Sequence, residues 1–330
     1  MSAPRRPWLA LLAGLAAGLG LAVAAGHDWA GPADLLRAAT GHDDLRSRLL
    51  IDWRLPRVLA AACVGALLGL GGAVFQGVFR NPLAEPYLLG SAGGAALGAS
   101  VALLVPLGLP QAPLLAMLAF LGAWGATFVV MAIARLAGTV DAAGLLLAGV
   151  AVAAVLGALR SFLMLALSDD TVNLQVVLSW SLGGVQTPRW PSLAGLALAT
   201  LAGLAATLRL ARGLDLLGLG DTMAAGFGQD VRGFVDRAVL VGAAVVALAV
   251  AFGGLVAFVG LAAPHVARWL VGPLHRALLP AAALVGAILV TAADALARSV
   301  LPPAEIPLGL VTAVAGGPFF IVLLARQLRP

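Results

Sequence analysis

The sequence predicts an all-α polytopic membrane protein of about ten transmembrane helices. Three observations predict it. The 330 residues are 62% hydrophobic and only 11% charged, with a mean hydropathy of +1.04, whereas a soluble surface must present far more charge to water. Apolar runs recur along the whole chain, each near the roughly 20 residues that cross a bilayer core. The charged residues sit between those runs, where they act as orientation signals.

Taken in order, the apolar runs fall at 8–26, 58–79, 87–105, 113–134 and 143–165, then at 192–210, 238–252, 255–270, 279–296 and 308–325. The first follows Arg5 and Arg6 and ends among small residues, a pattern shared with signal peptides. The later spans already commit the chain to the membrane, so it reads as a retained first helix. The eighth is short and is expected to break at Pro264. Glycines four residues apart, as at Gly65 and Gly69 or Gly94 and Gly98, predict close helix–helix approach. The charged segment 27–57 is expected to lie on the outer face, with an amphipathic stretch at 35–50. The segment 211–237 is expected on the inner face. Leu216, Leu217, Leu219, Met223 and Phe227 lie there between charges, which suits two short helices exposing a docking surface. The competing reading places those side chains in the membrane interface plane. Nothing divides the chain, so 1–330 reads as one transmembrane domain.

With the N-terminus inside, an even number of spans returns the C-terminus inside, and the arginines support that orientation. Arg5, Arg6, Arg80, Arg135, Arg209, Arg212, Arg232, Arg237, Arg268, Arg276, Arg326 and Arg329 then lie inside. Fewer arginines lie outside, accompanied there by most of the acidic residues. This is the charge pattern of a multi-pass protein of the cell inner membrane.

Composition also excludes functions. Every basic residue is arginine, so the lysine-containing phosphate loop of a nucleotide hydrolase is absent, and any ATP with its magnesium must be handled by a partner. The arginines form no basic stripe, which argues against a nucleic-acid partner. Cys63 is the single cysteine and the four histidines are scattered, so neither a disulfide nor a metal site is expected; His265 and Asp294 lack ligand partners at useful spacing. No nucleophile or metalloprotease motif is present, and the chain does not read as an enzyme. A secondary transporter is the main rival, but its usual intramembrane carboxylate is missing because the acidic residues cluster at span ends. A purely structural membrane protein would not need docking surfaces on both faces.

Several motifs in register carry a resemblance. Arg54-Leu-Pro-Arg57, Gln76 and Arg80-Asn-Pro-Leu-Ala-Glu-Pro-Tyr-Leu-Leu-Gly90 open it. Leu145-Leu-Leu-Ala-Gly-Val150, Ser179-Trp-Ser-Leu-Gly-Gly184 and Leu217-Gly-Leu-Gly-Asp-Thr-Met-Ala-Ala-Gly-Phe-Gly228 continue it. Phe258-Val-Gly-Leu-Ala-Ala-Pro-His265, His275-Arg276, Ala293-Asp294 with Arg298, Glu305-Ile-Pro-Leu-Gly309 and Gly316-Gly-Pro-Phe319 complete it. Together they resemble the iron-siderophore and vitamin B12 permease family of ABC importers, from about Arg54 to the end.

The resemblance implies a type II ABC importer permease fold. It implies a homodimer, or a pair with a paralogous permease, enclosing one pathway, with two ATPase subunits inside and one substrate-binding protein outside. The implied cargo is a ferric siderophore or related iron complex, with cobalamin or haem as the alternative. Motif by motif, binding-protein docking falls on Arg54, Arg57 and Arg298, whose planar forks suit carboxylates; snorkelling to headgroups is the bland alternative. A cytoplasmic gate falls on Asn81 and Leu83, against a simple helix-breaking turn. ATPase coupling falls on Leu216, Leu217, Gly220, Asp221, Met223, Gly226, Phe227 and Gly228, with Gly220 and Gly226 setting turns. A second gate would fall at Asp141-Ala-Ala-Gly144, which lacks the hydroxyl residues of some relatives.

Overall fold

The structure is a computed structural model describing residues 5–26, 28–138, 142–167 and 171–327. Its described residues are helical or irregular. In chain order the elements are α1 (Arg5–Ala24), α2 (Pro32–Ala39), α3 (Leu45–Arg48), a π-helical turn (Leu49–Arg54) and α4 (Leu55–Phe79). After a 3₁₀ turn (Pro86–Leu89) come α5 (Ser91–Leu104), α6 (Gln111–Leu136), α7 (Ala142–Leu167) and α8 (Thr171–Ser181). The remainder is α9 (Trp190–Leu217), α10 (Asp221–Gly226), α11 (Val231–Gly253), α12 (Val259–Val271), α13 (His275–Ser299) and α14 (Leu308–Gln327).

Each of the ten expected spans corresponds to a helix. Eight are long and apolar enough to cross a membrane; α5, with 14 residues, and α12, with 13, are shorter. The protein is thus an all-α polytopic membrane protein. Phe162, Leu165, Leu198 and Ile321 lie exposed on α7, α9 and α14, where lipid takes the place of water as the solvent.

Helix α4 is the axis of the molecule. It packs against α13, α11, α9 and α12, and Val58, Leu67, Leu70 and Phe75 are almost wholly enclosed. Its glycines allow this. A Cβ on Gly65 would overlap the Gly286 carbonyl of α13, one on Gly69 the Ala282 carbonyl, and one on Gly72 the Gly260 carbonyl of α12. Small residues give α5 and α6 the same intimacy, Gly94 meeting Gly122 and Gly98 meeting the Leu118 carbonyl.

Four local expectations are corrected. Helix at the second span begins at Leu45 rather than near residue 58, because the π turn feeds it: Leu55 N–H donates to the Leu50 carbonyl, and Pro56, lacking an N–H, sits in the first turn of α4. The outer segment is therefore shorter, and its amphipathic stretch resolves into α2 and α3. Pro264 does not break the eighth span. It lies inside α12; the break precedes it at 254–258, where Gly254 (φ 62°) and Phe258 (φ 64°) turn the chain. The inner loop holds not two short helices but the last turns of α9 and the single helix α10. Finally α8 is an extra helix. Its end joins two other breaks, the Gly183 carbonyl accepting from Leu308 N–H at 3.0 Å and the Gly253 carbonyl accepting from Gly184 N–H at 3.0 Å.

Candidate functional site

At its C-terminal end, the end expected on the inner face, α4 closes on a left-handed residue. Arg80 (φ 51°) ends the helix while Asn81 N–H donates back to the Gln76 carbonyl at 3.2 Å, the six-to-one bond of a Schellman cap. The Asn81 side chain then accepts from Leu83 N–H at 2.9 Å, tightening the turn. Asn81 is exposed and Leu83 half-buried. The expected gate residues therefore share one compact turn at the mouth of α4. The second expected gate begins at Asp141, outside the described residues. Behind the turn, Tyr87 Oη donates to the Val256 carbonyl at 3.1 Å, pinning the following segment to the α11–α12 break.

Glu85 completes this turn. It is half-buried, and loss of solvent raises its carboxyl well above the ordinary range, to about 7. The unfolded chain therefore ionises this group first, and the fold loses stability as pH rises from about 4.3 to about 7, then levels off. The thermal midpoint of the detergent-solubilised protein should fall across that window. Glu85→Gln should flatten the slope; equal slopes in both proteins would contradict the assignment.

The coupling residues divide by burial. Leu219, Met223 and Phe227 are exposed at 58%, 55% and 63%, and form the apolar outer face of the loop. Leu216 is half-buried and Leu217 enclosed at 1%, so Leu217 is corrected from a docking residue to a packing residue at the end of α9. The turn-setting glycines are Gly220 (φ 98°) and Gly228 (φ 81°). Gly226, expected to set a turn, is instead the last residue of α10. Asp221 does not cap that helix; it reaches Arg80 at 3.1 Å.

A further pairing escaped the sequence reading. Asp215, near the end of α9, accepts from His275 N–H at 2.9 Å and lies 2.7 Å from His275 Nδ1. Gly77 of α4 is pressed against that ring. The inner ends of α4, α9 and α13 thus meet at one histidine. The signal was the His275-Arg276 pair, but the sixty-residue separation from Asp215 hid its partner.

At the opposite end of the bundle, the end expected on the outer face, Arg54, Arg57 and Arg298 line one cavity of about 260 Å³ with Trp53, Thr187 and Glu305. They do not present free forks. Arg298 is 6% exposed; it binds Asp294 at 2.9 Å and donates to the Ala25 and Ala22 carbonyls at the end of α1, each at 2.9 Å. Its expected role in direct docking is corrected to a clamp between α13 and α1. Arg57 holds both Asp294, at 3.1 Å, and Glu305, at 2.8 Å. Arg54 donates to the carbonyls of Ala24 at 3.2 Å and Asp28 at 2.7 Å. Three guanidinium groups against two carboxylates leave the cluster one positive charge.

His265 and Asp294, weighed above as metal ligands, have structural surroundings. His265 meets Trp269 edge-on at 4.7 Å, and Asp294 sits between two arginines. Among the described residues, no three His, Cys, Asp or Glu side chains gather as a metal site.

A bundle of apolar, membrane-length helices with an arginine-lined cavity at one end and an exposed apolar loop at the other defines a polytopic membrane protein. The comparisons give its family: the model of the FecCD transport family matches residues 14–326, and the chain belongs to that family. The hemin transport system permease protein of Yersinia pestis is 41% identical over 293 residues, covering 87% of this chain and 86% of the relative. The cobalamin import system permease protein of Halobacterium salinarum is 40% identical over 281 residues, covering 84% and 73%. A solved structure described as an inward-facing conformation of a metal-chelate type ABC transporter superposes with a TM-score of 0.83 at 29% identity, covering 97% of this chain and 98% of that one. The protein is a multi-pass inner-membrane permease subunit of an ABC importer, not an enzyme in its own right.

Proposed function

We propose that this permease translocates an iron complex, a ferric siderophore or a related chelate, with cobalamin as the second reading. The family match from residue 14 to 326 carries the proposal, and the hemin relative supports iron over cobalt. The cobalamin relative, almost as similar, keeps the second reading in place. Uptake of labelled ferric siderophore, hemin and cobalamin into cells carrying the transporter as sole importer discriminates them. Cobalamin uptake alone would overturn the iron assignment.

The working assembly is two permease subunits around one pathway, two ATPases inside that bind ATP with magnesium, and one substrate-binding protein outside. The charge left on the outer cluster favours an acidic docking partner, through Arg54 and Arg57 rather than the enclosed Arg298, and steers it more than it adds affinity. Inside, Leu219, Met223 and Phe227 present an apolar ridge for a groove on the ATPase, and the subunits exchange outward and inward states by rigid-body movement. The turn holding Asn81 and Leu83 closes the inner mouth by sterics and dewetting.

The double variant Met223→Asp/Phe227→Asp should lose the ATPase on co-purification while the permease stays folded, because two charges would be buried in an apolar contact. Retention of the ATPase at the wild-type level would remove this ridge from the interface.

A further inference from the structure

The inner loop and the pathway turn belong to different parts of the fold, yet one side-chain contact joins them. Helix α10 packs on α9 and α11. From its first residue Asp221 reaches Arg80 at 3.1 Å, and Arg80 immediately precedes Asn81. We propose that the Arg80–Asp221 ion pair is the strut that carries displacement of α10 to the turn 80–85, linking the ATPase-facing ridge to the inner mouth of the pathway. The inference rests on the importer reading given above.

Three features support a mechanical role over a stabilising one. Arg80 occupies a left-handed position (φ 51°) that glycine or asparagine fills at lower cost, so its side chain has a use that offsets the backbone strain. Both partners are solvent-exposed, at 44% and 60%, and a pair in that setting contributes little to folding. The turn it pulls on is closed by its own bonds, Asn81 N–H to the Gln76 carbonyl and Leu83 N–H to the Asn81 side chain, so a displacement at Arg80 moves the turn as a unit.

The other end of the strut is built to move. Helix α10 lies between Gly220 (φ 98°) and Gly228 (φ 81°), each with open space where a Cβ would stand. These are two pivots around a short rigid piece whose outward side chains are Met223 and, just beyond it, Phe227. The neighbouring end of α9 is anchored by Asp215 to His275. Ala224 seats α10 against its neighbours and Gln229 Nε2 donates to the Gly213 carbonyl of α9 at 3.2 Å, so a push on the ridge acts on α10 as a short rigid piece held between its two glycines and the anchored end of α9.

The test uses the complete transporter in liposomes, with Cys63→Ala and Leu83→Cys in the permease, and reads the rate at which a water-soluble maleimide labels position 83 with and without ATP and magnesium. Retention of the ATPase is measured on the same preparations. ATP should change the labelling rate several-fold with the pair intact. Arg80→Gln and Asp221→Asn should each remove most of that response, and the exchange Arg80→Asp/Asp221→Arg should restore it. If the ATPase is retained and the response survives both single variants, or is lost and not restored by the exchange, the strut is wrong while the importer reading stands. If the intact pair retains no ATPase, both fall together.

Discussion

Gly65→Val should be among the most destabilising single-residue changes on α4, with the other glycines of that helix that press on neighbouring backbone. Helices α4 and α13 touch backbone to backbone at this point, and a Cβ would run into the Gly286 carbonyl. Neither partner is a flexible side chain that can swing aside, so the helices must separate. Overpacking of this kind costs about 1–3 kcal/mol and occasionally more, and the rigid neighbour places Gly65 at or beyond the upper end. The consequence spreads because Gly69 and Gly72 repeat the contact along the same helix, against Ala282 and Gly260. Gly18→Ala on α1 is the control. Nothing lies within 4 Å of a Cβ there, and the substitution should be neutral or mildly stabilising. Thermal unfolding of the solubilised proteins decides the matter: similar midpoints for the two variants would mean that α4 and α13 do not meet as described.

The glycine spacing that foretold this contact shows what sequence can reveal about such a fold. A spacing of four places two glycines on one helix face whatever the rest of the protein does, so Gly65 and Gly69 were legible, though their partner helix was not. The spans were legible for the same reason: lipid imposes length and apolarity locally. What escaped were features settled by distant partners. The apolar run suggested a helix start near residue 58, but a π turn ahead of α4 carries helix back to Leu45. Pro264 argued for a break, yet it lies inside α12, and the break fell where Gly254 and Phe258 turn the chain. Leu217 looks like its neighbours in sequence, and only the packing of α9 distinguishes it from exposed Leu219.

The arginines of the outer face teach the same lesson in electrostatic terms. Motif position grouped Arg54, Arg57 and Arg298, and they do share a cavity. Whether a guanidinium faces outward depends on acceptors remote in sequence. For Arg298 these are the carbonyls of Ala22 and Ala25, more than 270 residues away. The last carbonyls of a helix lack intrahelical partners, and at the end of α1 Arg298 and Arg54 supply the donors. The outer mouth is accordingly a prebuilt lattice of charges rather than a set of waiting hands.

Asp294→Ala should be the most damaging change in that lattice. Asp294 is 1% exposed and neutralises Arg298 at 2.9 Å and Arg57 at 3.1 Å. Removing it leaves Arg298 enclosed without a counter-charge, a loss of about 3–5 kcal/mol for a broken buried pair. Arg298→Ala should cost less on charge, since Arg57 still holds Asp294, but it strips the α1 carbonyls of their donors and should loosen α1 from α13. Glu305→Ala should cost little, about 0–1 kcal/mol, because Glu305 is half in water at 51% exposure and Arg57 keeps its bond to Asp294. Thermal midpoints should therefore order as Glu305→Ala, Arg298→Ala, Asp294→Ala from highest to lowest. Proteolysis near residues 25–31 should quicken in the last two. If Glu305→Ala proved as damaging as Asp294→Ala, the buried carboxylate would not be the keystone of the cluster, and the outer mouth would be held from the surface side instead.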